Sequence, residues 1–159
     1  SDVYKRQLQD HLRILSGFYG VLRPFDGVTP YRLEMGARLK TEGARDLYAF
    51  WGDKLARALE PGDGPVVDLA SREYSRAVVP HLPRGVPLVA CVFGRLRPDG
   101  RVVEQGAPCR MARGQMVRWM AERAVTRAEE LQEFRDLGYR FSPERSHPGR
   151  YVFLKEDEV

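Results

Sequence analysis

Residues 88–103 run Leu88-Val89-Ala90-Cys91-Val92-Phe93-Gly94-Arg95-Leu96-Arg97-Pro98-Asp99-Gly100-Arg101-Val102-Val103. A continuous apolar run from Leu88 to Phe93, bounded by turn residues, predicts a buried strand. Pro98-Asp99-Gly100 predicts a hairpin turn, because proline fixes φ and glycine accepts a positive φ, and Val102-Val103 returns. Upstream, Pro65 to Ala70 (PVVDLA) predicts a further buried strand. Ser71 then caps a short helix through about Val79, which Pro80 and Pro83 end. Downstream, Arg110 to Val125 is helical in pattern. Thr126-x-x-Glu129 is a capping box for a following helix, with Leu131, Phe134 and Leu137 inward and Gly138 at its end. Tyr139-Arg140-Phe141 and Tyr151-Val152-Phe153 alternate and predict a closing β-hairpin. Strands and helices interleave without a second clear βαβ unit. The fold class is therefore α+β, a mixed β-sheet flanked by helices, in one truncated domain.

The N-terminal half carries fewer strand signals. Leu8, Leu12 and Leu15 recur at helical spacing and predict a helix to about Leu15, broken by Ser16-Gly17. Gly17-Phe18-Tyr19-Gly20 is a tight turn, and Pro24 and Pro30 bracket an irregular loop. Tyr31-Arg32-Leu33-Glu34-Met35 predicts a short strand or extended piece ended by Gly36. Leu47, Phe50, Trp51, Leu55, Ala58 and Leu59 form one amphipathic stripe, with Asp46 as N-cap and Pro61-Gly62 as stop. Ser1 to Gln7 (SDVYKRQ) resembles a translated sequencing adapter and is set apart as a foreign leader. With no initiator Met, residues 8–155 are expected to be the C-terminal part of a longer single domain. Residues 156–159 are expected to be an acidic tail.

Composition narrows the function classes. The chain has 159 residues, 43% hydrophobic and 30% charged, with mean hydropathy −0.45, as expected for a soluble domain. No apolar run is long enough to cross a membrane, and the polar opening residues are not those of a signal peptide. Cys91 and Cys109 form no CxxC pair, which fits a reducing, cytoplasmic setting better than a disulfide framework or zinc knuckle. The 26 basic residues include only four lysines, Lys5, Lys40, Lys54 and Lys155. Such arginine preference suits phosphate recognition, and it suits a GC-rich genome equally.

Specific strings carry a resemblance. They are His11-Leu12-Arg13-Ile14-Leu15-Ser16-Gly17-Phe18-Tyr19-Gly20-Val21-Leu22-Arg23-Pro24 and Pro30-Tyr31-Arg32-Leu33-Glu34-Met35-Gly36, then Asp46-Leu47-Tyr48 and Phe50-Trp51-Gly52-Asp53. Asp68-Leu69-Ala70-Ser71 with Glu73-Tyr74, Ala112-Arg113-Gly114-x-Met116 and Gly138-Tyr139-x-Phe141 complete the set. Together they resemble the YaaA peroxide-stress protein family of bacteria over Leu8 to about Lys155. Members of that family open with a strand and a Ser-Pro-Ala-Lys loop, which this sequence lacks. The resemblance implies protection against hydrogen peroxide, lowered free intracellular iron, and DNA binding through a helix-hairpin-helix-like element and a positive cleft.

Beside the resemblance, the residues support their own readings. Ser16, Gly17, Tyr19 and Gly20 offer a glycine-rich turn whose backbone N–H groups suit a phosphate, with Arg23 following; an ordinary turn feeding the core is the alternative. Between Arg84 and Arg127, nine arginines (Arg84, Arg95, Arg97, Arg101, Arg110, Arg113, Arg118, Arg123, Arg127) face only Asp99, Glu104 and Glu122. That surplus is a nucleic-acid footprint or a solvated surface; Arg110, Arg113 and Arg118 are the phosphate candidates. Tyr31, Arg32, Glu34, Asp53, Ser71, Glu73 and Tyr74 are candidates for a polar pocket, with Ser71 as a plain N-cap the competing role.

His11, His81 and His147 show no ligand spacing, so no metal or other cofactor is expected. Cys109, next to Arg110 and near Arg113, is the candidate peroxide-sensing thiol, and Cys91 is expected in the core. No nucleophile elbow, phosphate loop or dinucleotide fingerprint is present. The expected partner is DNA, double-stranded or branched, bound by a cytoplasmic monomer. An enzyme acting on a small molecule or damaged nucleic acid in the polar pocket is the rival reading.

Overall fold

Strand pairing organises the C-terminal half around Leu88–Leu96, the longest strand of the computed structural model, which describes residues 2–62 and 64–156. The chain folds as two compact units. One holds the described residues of 1–63 with Ala70–Val86; the other holds Gly64–Leu69 with the described residues of 87–159. Each is described by itself.

In the first unit, α1 (Asp2–His11) is followed by β1 (Ile14–Ser16) and β2 (Gly20–Leu22), paired antiparallel with Ser16 opposite Gly20. The expected helix to Leu15 is thus corrected. It ends at His11, and Arg13 donates to the Gln9, Asp10 and Leu12 carbonyls at its C-terminal end. Leu12 and Leu15 share helical spacing by coincidence. The glycine turn joins two strands, so it is a β-hairpin and not a turn between helices, which corrects the helix-hairpin-helix-like expectation. Gly20 has φ 85°, a value the tight β1–β2 connection requires and other residues adopt at a cost.

The single amphipathic helix of residues 47–59 is two, α2 (Leu47–Trp51) and α3 (Lys54–Leu59). Gly52, at φ 53° and ψ −127°, cannot continue a helix, so Asp53 begins a new one instead of lying within the first. Asp46 caps α2 as its sequence position predicts, accepting from the Ala49 N–H at 2.8 Å. Residues 31–35 form no strand, with Leu33 and Met35 inward and Tyr31, Arg32 and Glu34 exposed, and among the described residues they pair with no strand. The short α4 (Arg72–Ser75) follows Ser71, whose backbone carbonyl accepts from Tyr74 and Ser75. Met35, Leu47, Leu55, Ala56, Ala77 and Val78 form this unit's core.

The second unit is a mixed sheet. β3 (Val66–Asp68) pairs parallel with β4 (Leu88–Leu96), and β4 pairs parallel with β7 (Arg150–Lys155). β6 (Tyr139–Phe141) pairs antiparallel with β7, and β5 (Val102–Val103) with the end of β4. The two predicted hairpins are both present, and the α+β class with a mixed sheet holds.

The helix α5 runs Gly106–Glu122, four residues earlier than its charge pattern suggests, because Pro108 is accommodated in its first turn. Cys109, Ala112, Met116 and Trp119 are its buried stripe. They pack on Phe93, Phe134, Tyr139 and Phe153, and the last three rings lie 5.1–5.8 Å from that of Phe93. After α5 the chain takes a 3₁₀ turn, Ala128–Glu133. Glu130 rather than Glu129 closes its start, accepting from the Thr126 and Arg127 N–H groups at 2.9 and 3.0 Å. These backbone bonds hold its carboxyl below the usual glutamate range. Leu131 and Phe134 are buried as predicted. Leu137, expected inward, is 43% exposed because its left-handed backbone (φ 58°) turns it out ahead of Gly138. Of the expected acidic tail, Glu156 pairs with Arg140 at 3.1 Å, and residues 157–159 lie outside the described residues.

Candidate functional site

In the first unit the candidate residues gather around the β1–β2 turn. Ser16 is buried (2% exposed) and bonds the Tyr31 hydroxyl, and its Oγ accepts from the Tyr19 N–H at 3.0 Å. Gly17 lets the turn approach the 31–36 segment: a Cβ there would stand 2.6 Å from the Leu33 carbonyl oxygen. The Trp51 indole N–H donates to the Gly17 carbonyl at 3.1 Å and so fixes the other side of the turn.

Glu73 closes the far end of that segment. Its carboxylate accepts from the Gly36 N–H at 2.7 Å, and its own carbonyl accepts from the Tyr48 hydroxyl at 2.8 Å. The Arg76 guanidinium sits 4.5 Å from the Tyr48 ring centre. Burial pushes the Tyr74 hydroxyl above the usual tyrosine range. Glu73, Tyr31 and Glu34 add to that shift and a backbone hydrogen bond at Met35 opposes it.

Tyr31, Glu34, Glu73 and Tyr74 therefore come together, held through Ser16 and Gly36. Of the other pocket candidates, Ser71 reaches Tyr74 only through its backbone carbonyl, at 3.0 Å, and among the described residues no such contact joins Arg32 or Asp53 to them. Asp53 is exposed and paired with Arg57 at 2.8 Å, one turn on along its own helix. Arg32 is exposed, and Ser71 makes no side-chain cap bond to α4.

The basic stretch resolves into spent and unspent charge. Each of its three acids holds an arginine: Asp99 with Arg101 at 2.8 Å, Glu104 with Arg113 at 3.0 Å and Glu122 with Arg118 at 2.7 Å. Arg113 is the least available, with a side chain only 16% exposed and its Nε buried without a partner. Arg110 is exposed and bonds the Gly106 carbonyl at 3.2 Å. Among the described residues, no carboxylate lies within ion-pair distance of Arg97, Arg110, Arg123 or Arg127, all four exposed. Arg97, Arg123 and Arg127 belong to the surplus that the sequence displayed, but α5's regular spacing drew attention to its own arginines. Arg23, in the first unit, is likewise exposed; its backbone is engaged with Asp26, the N–H donating to the carboxylate at 2.8 Å and the carbonyl accepting from the Asp26 N–H at 3.1 Å.

Neither thiol is presented to solvent. Burial pushes the Cys91 thiol up to about 12, and Cys109, expected beside exposed charge, is 5% exposed with its Sγ donating to the Gly106 carbonyl. A thiol reagent such as a disulfide dye is expected to titrate neither cysteine in the native chain within minutes, and both in urea. Release of one equivalent under native conditions, lost in Cys109→Ser, would show that Cys109 is accessible after all. Among the described residues, no three His, Cys, Asp or Glu side chains come together as a metal set, and no helix is long and apolar enough to cross a membrane.

Comparison with known proteins adds a family. The model of the family described as "Peroxide stress protein YaaA" matches residues 1–145. A UPF0246 protein of Desulfitobacterium hafniense is 51% identical over 154 residues, covering 97% of this chain and 61% of that protein. UPF0246 proteins of Pediococcus pentosaceus and Lactiplantibacillus plantarum are each 46% identical, over 94% and 92% of this chain and 59% of their own lengths. The chain thus spans about three-fifths of the relatives it matches.

Proposed function

The chain belongs to the YaaA peroxide-stress protein family, and on that premise we propose that it protects against hydrogen peroxide in the cytoplasm by binding DNA through phosphate contacts, in association with lowered free iron. One observation carries this reading. The three acids of the basic stretch are all engaged, and Arg97, Arg110, Arg123 and Arg127 remain exposed without ion pairs among the described residues. Exposed guanidinium forks suit phosphate oxygens, and each phosphate neutralised releases condensed counterions. Arg110 and Arg118 are the helix contacts, Arg118 by exchanging Glu122 for phosphate. Arg113 would have to give up Glu104, so it serves by holding α5 to the segment after β5. In the first unit, taken by itself, Arg23 is the phosphate contact, since the Tyr19 N–H of the turn is already held by Ser16 Oγ.

The test is fluorescence anisotropy of labelled duplex and branched DNA across a salt series. Affinity is expected to fall linearly in log salt, and the Arg110→Ala/Arg118→Ala variant to flatten that slope by about two. An unchanged slope would remove these arginines from the interface.

A second reading, a small-molecule enzyme site, is favoured by the convergence of Tyr31, Glu34, Glu73 and Tyr74. Clustered carboxylates around a shifted phenol are the usual chemistry of proton transfer. The arginine variants leave such a site untouched, so an unchanged slope turns attention to it.

A further inference from the structure

We propose that the β1–β2 turn and the segment after it form a stacking platform for the unpaired bases of a single strand, built from Phe18, Tyr19 and Tyr31. This deepens the nucleic-acid reading and rests on it.

The three rings form one cluster. Phe18 lies 4.9 Å from Tyr19, edge to face, and 5.3 Å from Tyr31, tilted by 30°. Tyr19 and Tyr31 meet edge to face at 5.6 Å. Phe18 is 55% exposed and Tyr31 43%, which is unusual for two large rings in contact.

The cluster is also rigid, and by polar bonds instead of burial. The Tyr19 hydroxyl accepts from the Thr29 N–H at 2.8 Å, and the Tyr31 hydroxyl is tied to buried Ser16. Both tyrosines are therefore oriented by their oxygen ends, and Phe18, with no polar handle, has only its ring to offer. A surface that served merely to close the core would bury Phe18, yet it stands at the tip of the turn.

Charge indicates the occupant. Arg23 lies four residues after Tyr19 and Arg32 directly after Tyr31; both are exposed, and neither has an ion-pair partner among the described residues. Flat exposed rings on a segment that also carries exposed guanidinium groups match alternating bases and phosphates. Every base has a π-face, so the platform takes any sequence, but the bases must be unstacked from a duplex to reach it. That condition favours single strands and the junctions of branched DNA.

The experiment compares a labelled twelve-nucleotide oligo(dT) with a duplex of equal length by anisotropy, for the chain and for Phe18→Ala and Phe18→Trp. Phe18→Ala is expected to weaken oligo(dT) binding at least about fivefold, with duplex affinity unchanged and Phe18→Trp restoring the loss. Phe18 is exposed, so folding is not at stake, and thermal denaturation of each variant checks this. Unchanged oligo(dT) affinity in Phe18→Ala, with duplex binding intact, overturns the platform and leaves the arginine reading standing. Absence of binding to both DNAs overturns both.

Discussion

Phe93→Ala is expected to destabilise the second unit by about 3–5 kcal/mol. Phe93 is 0% exposed in β4, the strand that pairs with β3, β5 and β7. Its ring stacks on Phe153 at 5.1 Å and meets Phe134 and Tyr139 edge to face at 5.8 and 5.5 Å. Truncation removes the transfer free energy of a full aromatic side chain and leaves a hole walled by three rings. Those rings are fixed by two other strands and a 3₁₀ turn, so they cannot easily collapse into it. Urea denaturation gives the loss. Hydrogen exchange read by peptide should show it in residues 88–96 and 150–155, with smaller changes in residues 14–22. A loss below about 1 kcal/mol would mean that the aromatic cluster repacks, contrary to the close fit described.

Gly17→Ala is the second large effect, and it acts on the candidate site. The added methyl would meet three backbone atoms, at 2.6 Å from the Leu33 oxygen, 3.2 Å from the Glu34 carbonyl carbon and 3.3 Å from the Met35 nitrogen. Backbone cannot rotate aside as a side chain can, so the turn and the 31–36 segment must separate. We expect a loss of about 2–3 kcal/mol in the first unit, as for an overpacked core, with raised exchange at residues 31–36. Gly27→Ala is the control, since nothing lies within 4 Å of the Cβ it would add, and it should be nearly neutral. Equal effects of the two substitutions would show that the Gly17 contact does not hold the segment. The same variant bears on function, because Ser16 and Tyr31 meet across this approach.

Much of the fold was legible because it is local. The Asp46 cap, the Pro98-Asp99-Gly100 turn and the pairing of residues 139–141 with 151–153 are set by a few neighbouring residues, and each forms as read. The misreadings share one cause. Leu12 and Leu15 have helical spacing, but Ile14–Ser16 pairs with Gly20–Leu22 because extended backbone lets Ser16 and Gly17 reach Tyr31 and Leu33. The stripe of residues 47–59 looked continuous because a period says nothing about Gly52 taking a positive φ.

The sequence by itself determined the family, the mixed α+β character and the surplus of arginine. Only the tertiary structure decided which arginines are neutralised, since Glu104 finds Arg113 nine residues away through the placement of α5. It also decided which candidates meet. Glu73 reaches Gly36, and Tyr31 reaches Ser16 and Phe18, through contacts distant in sequence that no local period encodes. Cys109 and Phe18 carry the same lesson in opposite directions. A thiol beside two arginines is buried by the face its helix turns inward, and the aromatic ring of Phe18, in the turn, stands in solvent. Burial belongs to the packed chain, because it depends on what covers a side chain from elsewhere in the fold.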